Sequence, residues 1–416
     1  MKQTAKFSFM EEWKKYKLQE LCSIHRGSSP RPIQKFLSAK GQPWVKISDA
    51  TADSSRYISK TKECIIPEGI KHSVIVEPGT LIVSNSATPG LPKIMKITAC
   101  VHDGWLIIDN IKPIVLKEFL YYSFILIRRE LSNQANGSVF QNLKTEIVKN
   151  FEINVPPISI QKRIVSILER IEDKIDINNG INDNLEQQAQ AIYKSWFVDF
   201  EPFKDSKFIE SELGLIPEGW KVGKIKDIIR LLSGFPFKSS DFVQNGDYQL
   251  ITIKGVQDGY LDVTSADRLS SFPPKMPQYC ILNIGDILIS LTGNVGRICI
   301  VDRNNLLLNQ RVAILSPKNP RDSFYTYTMF RNELFKNELI HLARGTAQLN
   351  LSPIETGDKL AVIPPDSALE AFAKISKRTF EQYLSIKMEN IRLSEMRDTL
   401  LPKLMSGELK INETDC

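Results

Sequence analysis

Apolar residues in this chain follow two patterns, and the pair of patterns occurs twice. The first is a set of short β-branched runs, such as Ser73-Val-Ile-Val76, Thr80-Leu-Ile-Val83 and Arg297-Ile-Cys-Ile-Val301, broken by Gly, Pro, Asn and Asp. Such runs predict a mixed, strand-rich module with many turns. One helical stretch is predicted inside each module, over Glu118 to Asn133 and Asp322 to Leu342. The second pattern is a long helix that begins directly after a Pro-Pro pair, where proline suits a helix start. In the first long helix, Ser159 to Phe197, the residues Ile164, Leu168, Ile171, Ile175, Asn178, Asn182, Leu185, Ala189, Ile192 and Trp196 recur at spacings of four and three. That spacing keeps one stripe on one face of a supercoiled helix. The second long helix, Ala368 to Met405, is less regular: its stripe is Tyr383, Ile386, Asn390, Leu393, Leu400 and Leu404, with Arg397 interrupting it. Asparagines within such a stripe lower stability but can fix register against a partner helix.

The doubling extends to individual residues. Trp13-Lys14 recurs as Trp220-Lys221, Trp44-Val-Lys-Ile47 as Leu250-Ile-Thr-Ile253, and the Glu77–Ser84 run as Asn283–Ser290. Gly137-Ser138 with Asn142-Leu143 recurs as Gly345-Thr346 with Asn350-Leu351, and Val155-Pro-Pro157 as Ile363-Pro-Pro365. Subtracting positions gives offsets of 207, 206, 206, 208 and 208. A near-constant offset over five separate matches identifies an internal repeat. Two equivalent helices, each closing its own module, can pair with each other. A helix of 40 residues is about 60 Å long, and antiparallel pairing would make a rod with a globular head at each end. The alternative is two unrelated core helices.

Composition narrows the picture only slightly. The 416 residues exceed one ordinary core. The net charge of +6, from 54 Lys+Arg against 48 Asp+Glu, permits a polyanion partner without demanding one. The six cysteines, Cys22, Cys64, Cys100, Cys280, Cys299 and Cys416, form no C-x-x-C pair. Reduced thiols and a cytoplasmic location are expected. Neither a signal peptide nor a run of 18 apolar residues is recognisable, so no membrane association is expected.

Catalytic signatures are missing. The four histidines, His25, His72, His102 and His341, are not at metal-ligand spacing, and no metal site is expected. The sequence has no phosphate-binding G-x-x-x-x-G-K-[ST] loop and no G-x-S-x-G elbow. Asn154-Val-Pro-Pro157 approaches the [Asp/Asn]-Pro-Pro-aromatic motif of amino-methyltransferases, but a valine is inserted and Ile158 stands where an aromatic must stack on a flipped base. Its repeat partner, Ile363-Pro-Pro-Asp366, fails in both places, and the nuclease-like Pro365-Asp366…Glu370 has Phe372 where a lysine is needed. The most site-like segment is Gly293-Asn-Val-Gly296-Arg297. Its glycines would let backbone N–H groups approach a phosphate, although a plain tight turn explains it equally well. The first copy, Ala87-Thr-Pro-Gly90 with Lys93 nearby, has diverged in sequence.

These features together resemble the specificity subunit of type I restriction-modification systems. The likeness is carried by the repeat, the Trp-Lys starts, the Gly-Ser/Thr…Asn-Leu segments and the Pro-Pro helix starts. Ser195-Trp-Phe-Val-Asp-Phe200, Ile216-Pro-Glu-Gly-Trp220 and Leu400-Leu-Pro-Lys-Leu-Met-Ser-Gly-Glu-Leu409 add to it. The resemblance covers nearly the whole chain. It implies an α+β fold in which two pseudo-repeated mixed α/β target recognition domains are separated by two long antiparallel coiled-coil helices. The expected order is a first recognition domain over 1–157, a central helix over 158–198, a linker over 199–216, a second recognition domain over 217–365, a C-terminal helix over 366–408 and a tail over 409–416.

It further implies a non-catalytic subunit that binds double-stranded DNA. Each head would read one half of a split, asymmetric target, while the helices set the unread gap and dock two methyltransferase subunits. A restriction-motor subunit would complete the complex. S-adenosylmethionine, ATP and magnesium would belong to those partners, leaving no cofactor in this chain. Base edges are read chiefly by Arg, Lys, Asn and Gln. The candidates are Arg26, Arg31, Lys46, Arg56, Lys93, Gln141 and Asn142 in the first head. In the second they are Lys238, Lys254, Asn294, Arg297, Arg311, Arg344, Gln348 and Asn350. The helix-pairing candidates are Ile164, Leu168, Ile171, Ile175, Leu185, Ile192, Tyr383, Ile386, Leu393, Leu400 and Leu404. Two other readings stay open from the residues alone: a protein-interaction scaffold, and a self-contained DNA methyltransferase.

Overall fold

The computed structural model describes residues 13–51, 55–135, 142–345 and 348–409. By compactness the chain forms two units, one of residues 1–177 with 392–416 and one of 178–391. Both long helices, Ile158–Phe197 and Asp366–Met405, are continuous, and the division falls inside each of them.

In the first unit a strand at Lys14–Lys17 pairs antiparallel with Glu152–Val155, so the head closes immediately before its Pro-Pro pair. Between them lie two five-stranded sheets. One runs, in spatial order, 23–26, 105–109, 81–84, 92–95 and 57–58; the other runs 37–38, 63–65, 42–45, 99–101 and 74–76. The strand Leu81–Ser84 is buried on both faces, which is why it reads as a continuous apolar run. A helix at Lys117–Ala135 packs Phe119, Leu120, Tyr122 and Phe124 onto the first sheet, in a core that also takes Ile164 and Leu168 of the central helix and Leu401, Leu404 and Met405 of the C-terminal helix.

The second unit repeats this plan with fewer strands. Lys221–Lys224 pairs with Leu360–Ile363. Its four-stranded sheets run 229–233, 312–317, 287–290, 298–300 and 268–269, 248–251, 306–308, 281–282. Each strand has a counterpart in the first head in the same spatial order, and the first head adds one edge strand to each sheet. The helix expected over Asp322 to Leu342 is instead two, Ser323–Arg331 and Glu333–Leu342. Asn332 adopts an extended backbone there and its side chain accepts from the Phe335 amide, so it ends one helix and caps the next. The expected linker contains a β-hairpin, Phe208–Ser211 with Gly214–Pro217.

The long helices run antiparallel within each unit. In the first, Glu172 meets Arg397 while Leu168, earlier in the central helix, shares a core with Leu401 and Leu404. In the second, Asn178 meets Asn390, and Phe197 packs on Phe372 at 5.0 Å between ring centroids. The central stripe is turned inward. Ile164, Leu168, Ile171, Ile175, Asn178, Asn182 and Ala189 are buried, and Leu185, Ile192 and Trp196 pack partly buried against the second core. On the C-terminal helix Tyr383 and Leu404 are buried and Ile386, Leu393 and Leu400 half-buried. Asn178 and Asn390 are paired, whereas the Oδ1 of Asn182 is buried without a hydrogen-bond partner. Asn178 Nδ2 donates to Glu389 Oε2 at 2.7 Å and to Asn390 Oδ1 at 2.9 Å, and Asn390 Nδ2 donates to Asn179 Oδ1 at 2.8 Å. Arg397, which breaks the apolar stripe, donates to Glu172 Oε1 at 3.0 Å.

Each head is tied to the long helix that follows it by buried charge, with opposite signs. In the first, Arg56 reaches out to Asp173 and Glu169 of the central helix. In the second, the helix supplies the cation: Lys387 Nζ donates to the Gly259 carbonyl at 2.9 Å. Nearby Asp258 accepts from Arg331 at 2.7 Å and from Lys336, and Arg331 in turn bonds Glu186 of the central helix at 2.9 Å.

Candidate nucleic-acid interface

In each head four loops converge, and they converge in the same way. In the first, Gly27 lies so close to the 101–102 backbone that a Cβ would stand 2.3 Å from the His102 carbonyl oxygen. The equivalent Gly234 would meet the Asn309 carbonyl at 2.4 Å. Only glycine fits either crossing. The Asn85 amide donates to the Gly104 carbonyl at 2.9 Å and the Leu143 amide to the Asn85 carbonyl at 2.7 Å. The counterparts are Leu291 to Arg311 at 3.0 Å and Leu351 to Leu291 at 2.7 Å. Leu143 and Leu351 are buried. The recurring Asn-Leu pair therefore anchors its loop, and the leucine is the anchor. Gly137-Ser138 and Gln141 lie outside the described residues.

In the first head this convergence gathers Arg26, Arg31 and Asn142, all exposed. Arg26 Nε donates to the Asp103 carbonyl at 2.5 Å, and Arg31 lies 3.3 Å from the Asp103 carboxylate while remaining 81% exposed. Ser29 Oγ donates to the same carboxylate at 2.7 Å. Burial pushes the Asp103 carboxyl up, but the Ser29 hydrogen bond and the charge of Arg26 outweigh it and hold it below the usual carboxylate range. Asp103 thus organises two arginines without burying them. Sequence reasoning missed it, because an acidic side chain beside a polyanion site is the opposite of the expected sign. His102 is held neutral: burial lowers its pKa, and its Nδ1 accepts from the Gly104 amide at 2.8 Å. Lys46 is half-exposed and pairs with Glu63 at 2.6 Å.

Two first-head candidates do not reach this surface. Arg56, 5% exposed, is committed to Glu169 and Asp173, and those charges together with Tyr122 and Tyr57 raise its pKa against the effect of burial. Lys93, 4% exposed, donates to the Ser55 carbonyl. Both were candidates by residue type alone. Arg56 stands in the bend just before the strand Tyr57–Ile58 and Lys93 on the strand Pro92–Met95, and both side chains are turned inward.

In the second head most of the candidates are exposed. Lys238, Lys254, Asn294, Arg311, Gln348 and Asn350 are exposed, Arg344 is 80% exposed beside Glu355 at 2.6 Å, and Arg297 is half-buried. The Gly293 amide donates to the Leu349 carbonyl at 3.0 Å, Thr292 and Asn350 form a β-bridge, and Arg297 Nη1 donates to Gln257 Oε1. Gln257, which sequence reasoning also missed, donates to the Lys254 carbonyl at 2.6 Å. It carries no motif, and only the tertiary contact distinguishes it.

The 293–297 loop, expected to have diverged from its first-head counterpart, has diverged only in side chains. In both loops the third and sixth residues after the serine take left-handed backbone: Ala87 and Gly90 at φ 58° and 79°, Gly293 and Gly296 at 73° and 76°. Among the described residues no group of three or more His, Cys, Asp or Glu is placed to hold a metal ion, and no helix is long and apolar enough to cross a membrane. The five described cysteines are unpaired.

A chain with two such heads has known relatives. The family model described as "Type I restriction modification DNA specificity domain" matches residues 10–187 and again 217–357. The chain is 28% identical to the type I restriction enzyme MjaIX specificity subunit of Methanocaldococcus jannaschii, over 97% of this chain and 95% of that one. It is 26% identical to the HindI specificity subunit of Haemophilus influenzae, over 74% and 81%. Among solved structures, the type I restriction-modification S subunit from M. genitalium shares the fold, with a TM-score of 0.50 at 16% identity over 96% of this chain and 97% of that one. With both heads matched, the chain belongs to the type I restriction-modification DNA specificity family.

Proposed function

We propose that this chain is the DNA sequence-specificity subunit of a type I restriction-modification complex, and that each head reads one half of a split, asymmetric duplex target. The observation that carries the reading is the pair of equivalent four-loop surfaces. Their backbones match and their exposed side chains differ, which suits two readers of two different base sequences. Exposed arginines and lysines supply phosphate attraction and guanine readout, and exposed Asn and Gln can pair with adenine. Joining two readers in one chain makes the second contact intramolecular.

The chain itself performs no chemistry in this reading. Two methyltransferase subunits dock on the helices and bring S-adenosylmethionine, and a motor-nuclease subunit brings ATP and magnesium. The complex works in the cytoplasm. The helices set the length of the unread gap, and the Asn178–Asn390 contact supports that role because polar pairs in a helix interface fix register.

The test is methylation-sensitive sequencing of the host genome with and without this gene. Loss of one split adenine-methylation motif is the expected result. An unchanged methylation pattern in a host whose partner subunits are expressed overturns the proposal, as does methylation by the purified chain alone.

A further inference from the structure

The loops Ser84–Leu91 and Ser290–Arg297 are one backbone device carrying different side chains. In each, the serine hydroxyl accepts from the amide seven residues on, at 3.0 Å in both. It donates to the carbonyl four residues on, that of Thr88 in one loop and Asn294 in the other. The seventh position on this shared frame is Leu91 in the first head and Arg297 in the second.

The surroundings of Arg297 suit a reader better than a strut. Its partner is the neutral amide of Gln257, and among the described residues it forms no ion pair. A guanidinium has five N–H donors, so one hydrogen bond to a neutral acceptor leaves most of them and the full charge available. Gln257 is itself fixed. Its Nε2 is spent on the Lys254 carbonyl, and the next two residues are clamped from behind by Arg331, Lys336 and Lys387. The result is a planar fork with a preset orientation, held next to exposed Lys254 through Gln257. Guanine presents O6 and N7 in the major groove to such a fork.

We infer that Arg297, oriented by Gln257, reads a guanine in the half-site of the second head, and that the first head, with Leu91 at the same place, has no counterpart. The inference rests on the DNA-reading function proposed above. Gln257 is then a positioning residue for specificity.

The experiment is selection from a random duplex library by the full chain copurified with its methyltransferase subunits, comparing the parent with Arg297→Ala and Gln257→Leu. The parent should enrich two sequence blocks at fixed spacing. Both variants should lose a guanine preference at one position of one block, by about tenfold to a hundredfold. The other block and the gap should stay unchanged. Gln257→Leu leaves the arginine in place and decides the matter if Arg297→Ala does not fold. Blocks identical to the parent's overturn the inference. So does loss of a base other than guanine, or loss of both blocks together, which marks a structural role. A parent that enriches no paired blocks overturns the DNA-reading function itself, and the inference falls with it.

Discussion

Replacing Arg397 by methionine removes the cation from an ion pair whose other member cannot reach water. Glu172 is 3% exposed and Arg397 22% exposed, with 3.0 Å between their charged groups. The paired carboxylate raises the arginine pKa against the effect of burial. The second partner of Arg397, Asp398, is 62% exposed, and an exposed pair of that kind contributes only about 0–1 kcal/mol. Nearly all of the loss therefore falls on Glu172. Breaking a buried pair from one side costs about 3–5 kcal/mol, because it leaves an uncompensated charge. The partial exposure of Arg397 lets some water in and sets the expectation near 3 kcal/mol. In urea this is a midpoint about 1–2 M lower for the first unit. The second part of the prediction is the sharper one. Arg397→Met combined with Glu172→Leu removes both charges and should recover most of the loss, since apolar replacement of a whole buried pair is often neutral or better. The assay is urea unfolding of the full chain followed by hydrogen exchange in residues 164–177, which isolates this unit from the other. A single variant within about 0.5 kcal/mol of the parent would refute the reasoning, as would a double variant no more stable than the single.

Two further outcomes follow from the site geometry. Burial lowers the pKa of His102 below its ordinary value of 6.5, so as pH falls the unfolded chain takes up the proton first. Stability of the first unit should be full above about pH 7 and decline once pH drops below about 6.5. His102→Asn keeps an acceptor for the Gly104 amide and should flatten that decline; a parent urea midpoint equal at pH 7 and pH 5 would contradict it. At the shared loop frame, Gly293 has room for a Cβ, whose nearest neighbour would be 3.4 Å away, so Gly293→Ala should cost about 1 kcal/mol through its left-handed backbone alone. Ala87→Gly at the matching position should gain about 0.5 kcal/mol, the relief exceeding the added freedom of the unfolded chain. Thermal unfolding of both variants checks this, and the same sign of effect at both positions would show that the loops do not share a backbone.

Much of this protein can be read from the one-dimensional record. The 206–208 offset carries through to matching strand orders in the two heads, because residues that repeat in sequence repeat in the packing they demand. The long helices follow from a spacing of four and three that places Ile164, Leu168, Ile171 and Ile175 on one face wherever a helix forms. The Pro-Pro pairs mark the helix starts because proline's geometry is local. Of the asparagines in the stripe, Asn178 meets Asn390 across the helix pair, while Asn182 leaves its buried Oδ1 without a partner.

What tertiary structure alone decided is which charged side chains are free. Arg56 and Arg31 both stand outside regular strands, yet Arg56 is buried against Glu169 and Asp173 while Arg31, beside Asp103, keeps most of its side chain in solvent. Arg397 read as a flaw in a stripe until Glu172, 225 positions away, supplied its partner. Gln257 and Asp103 had no signal at all, because their roles exist only through contacts with Arg297 and with Arg26 and Arg31. Apolar periodicity is a property of neighbours along the chain and survives in the sequence. Charge pairing depends on which residues distant in sequence meet in space, and desolvation makes that meeting decisive, so it is settled only when the fold closes.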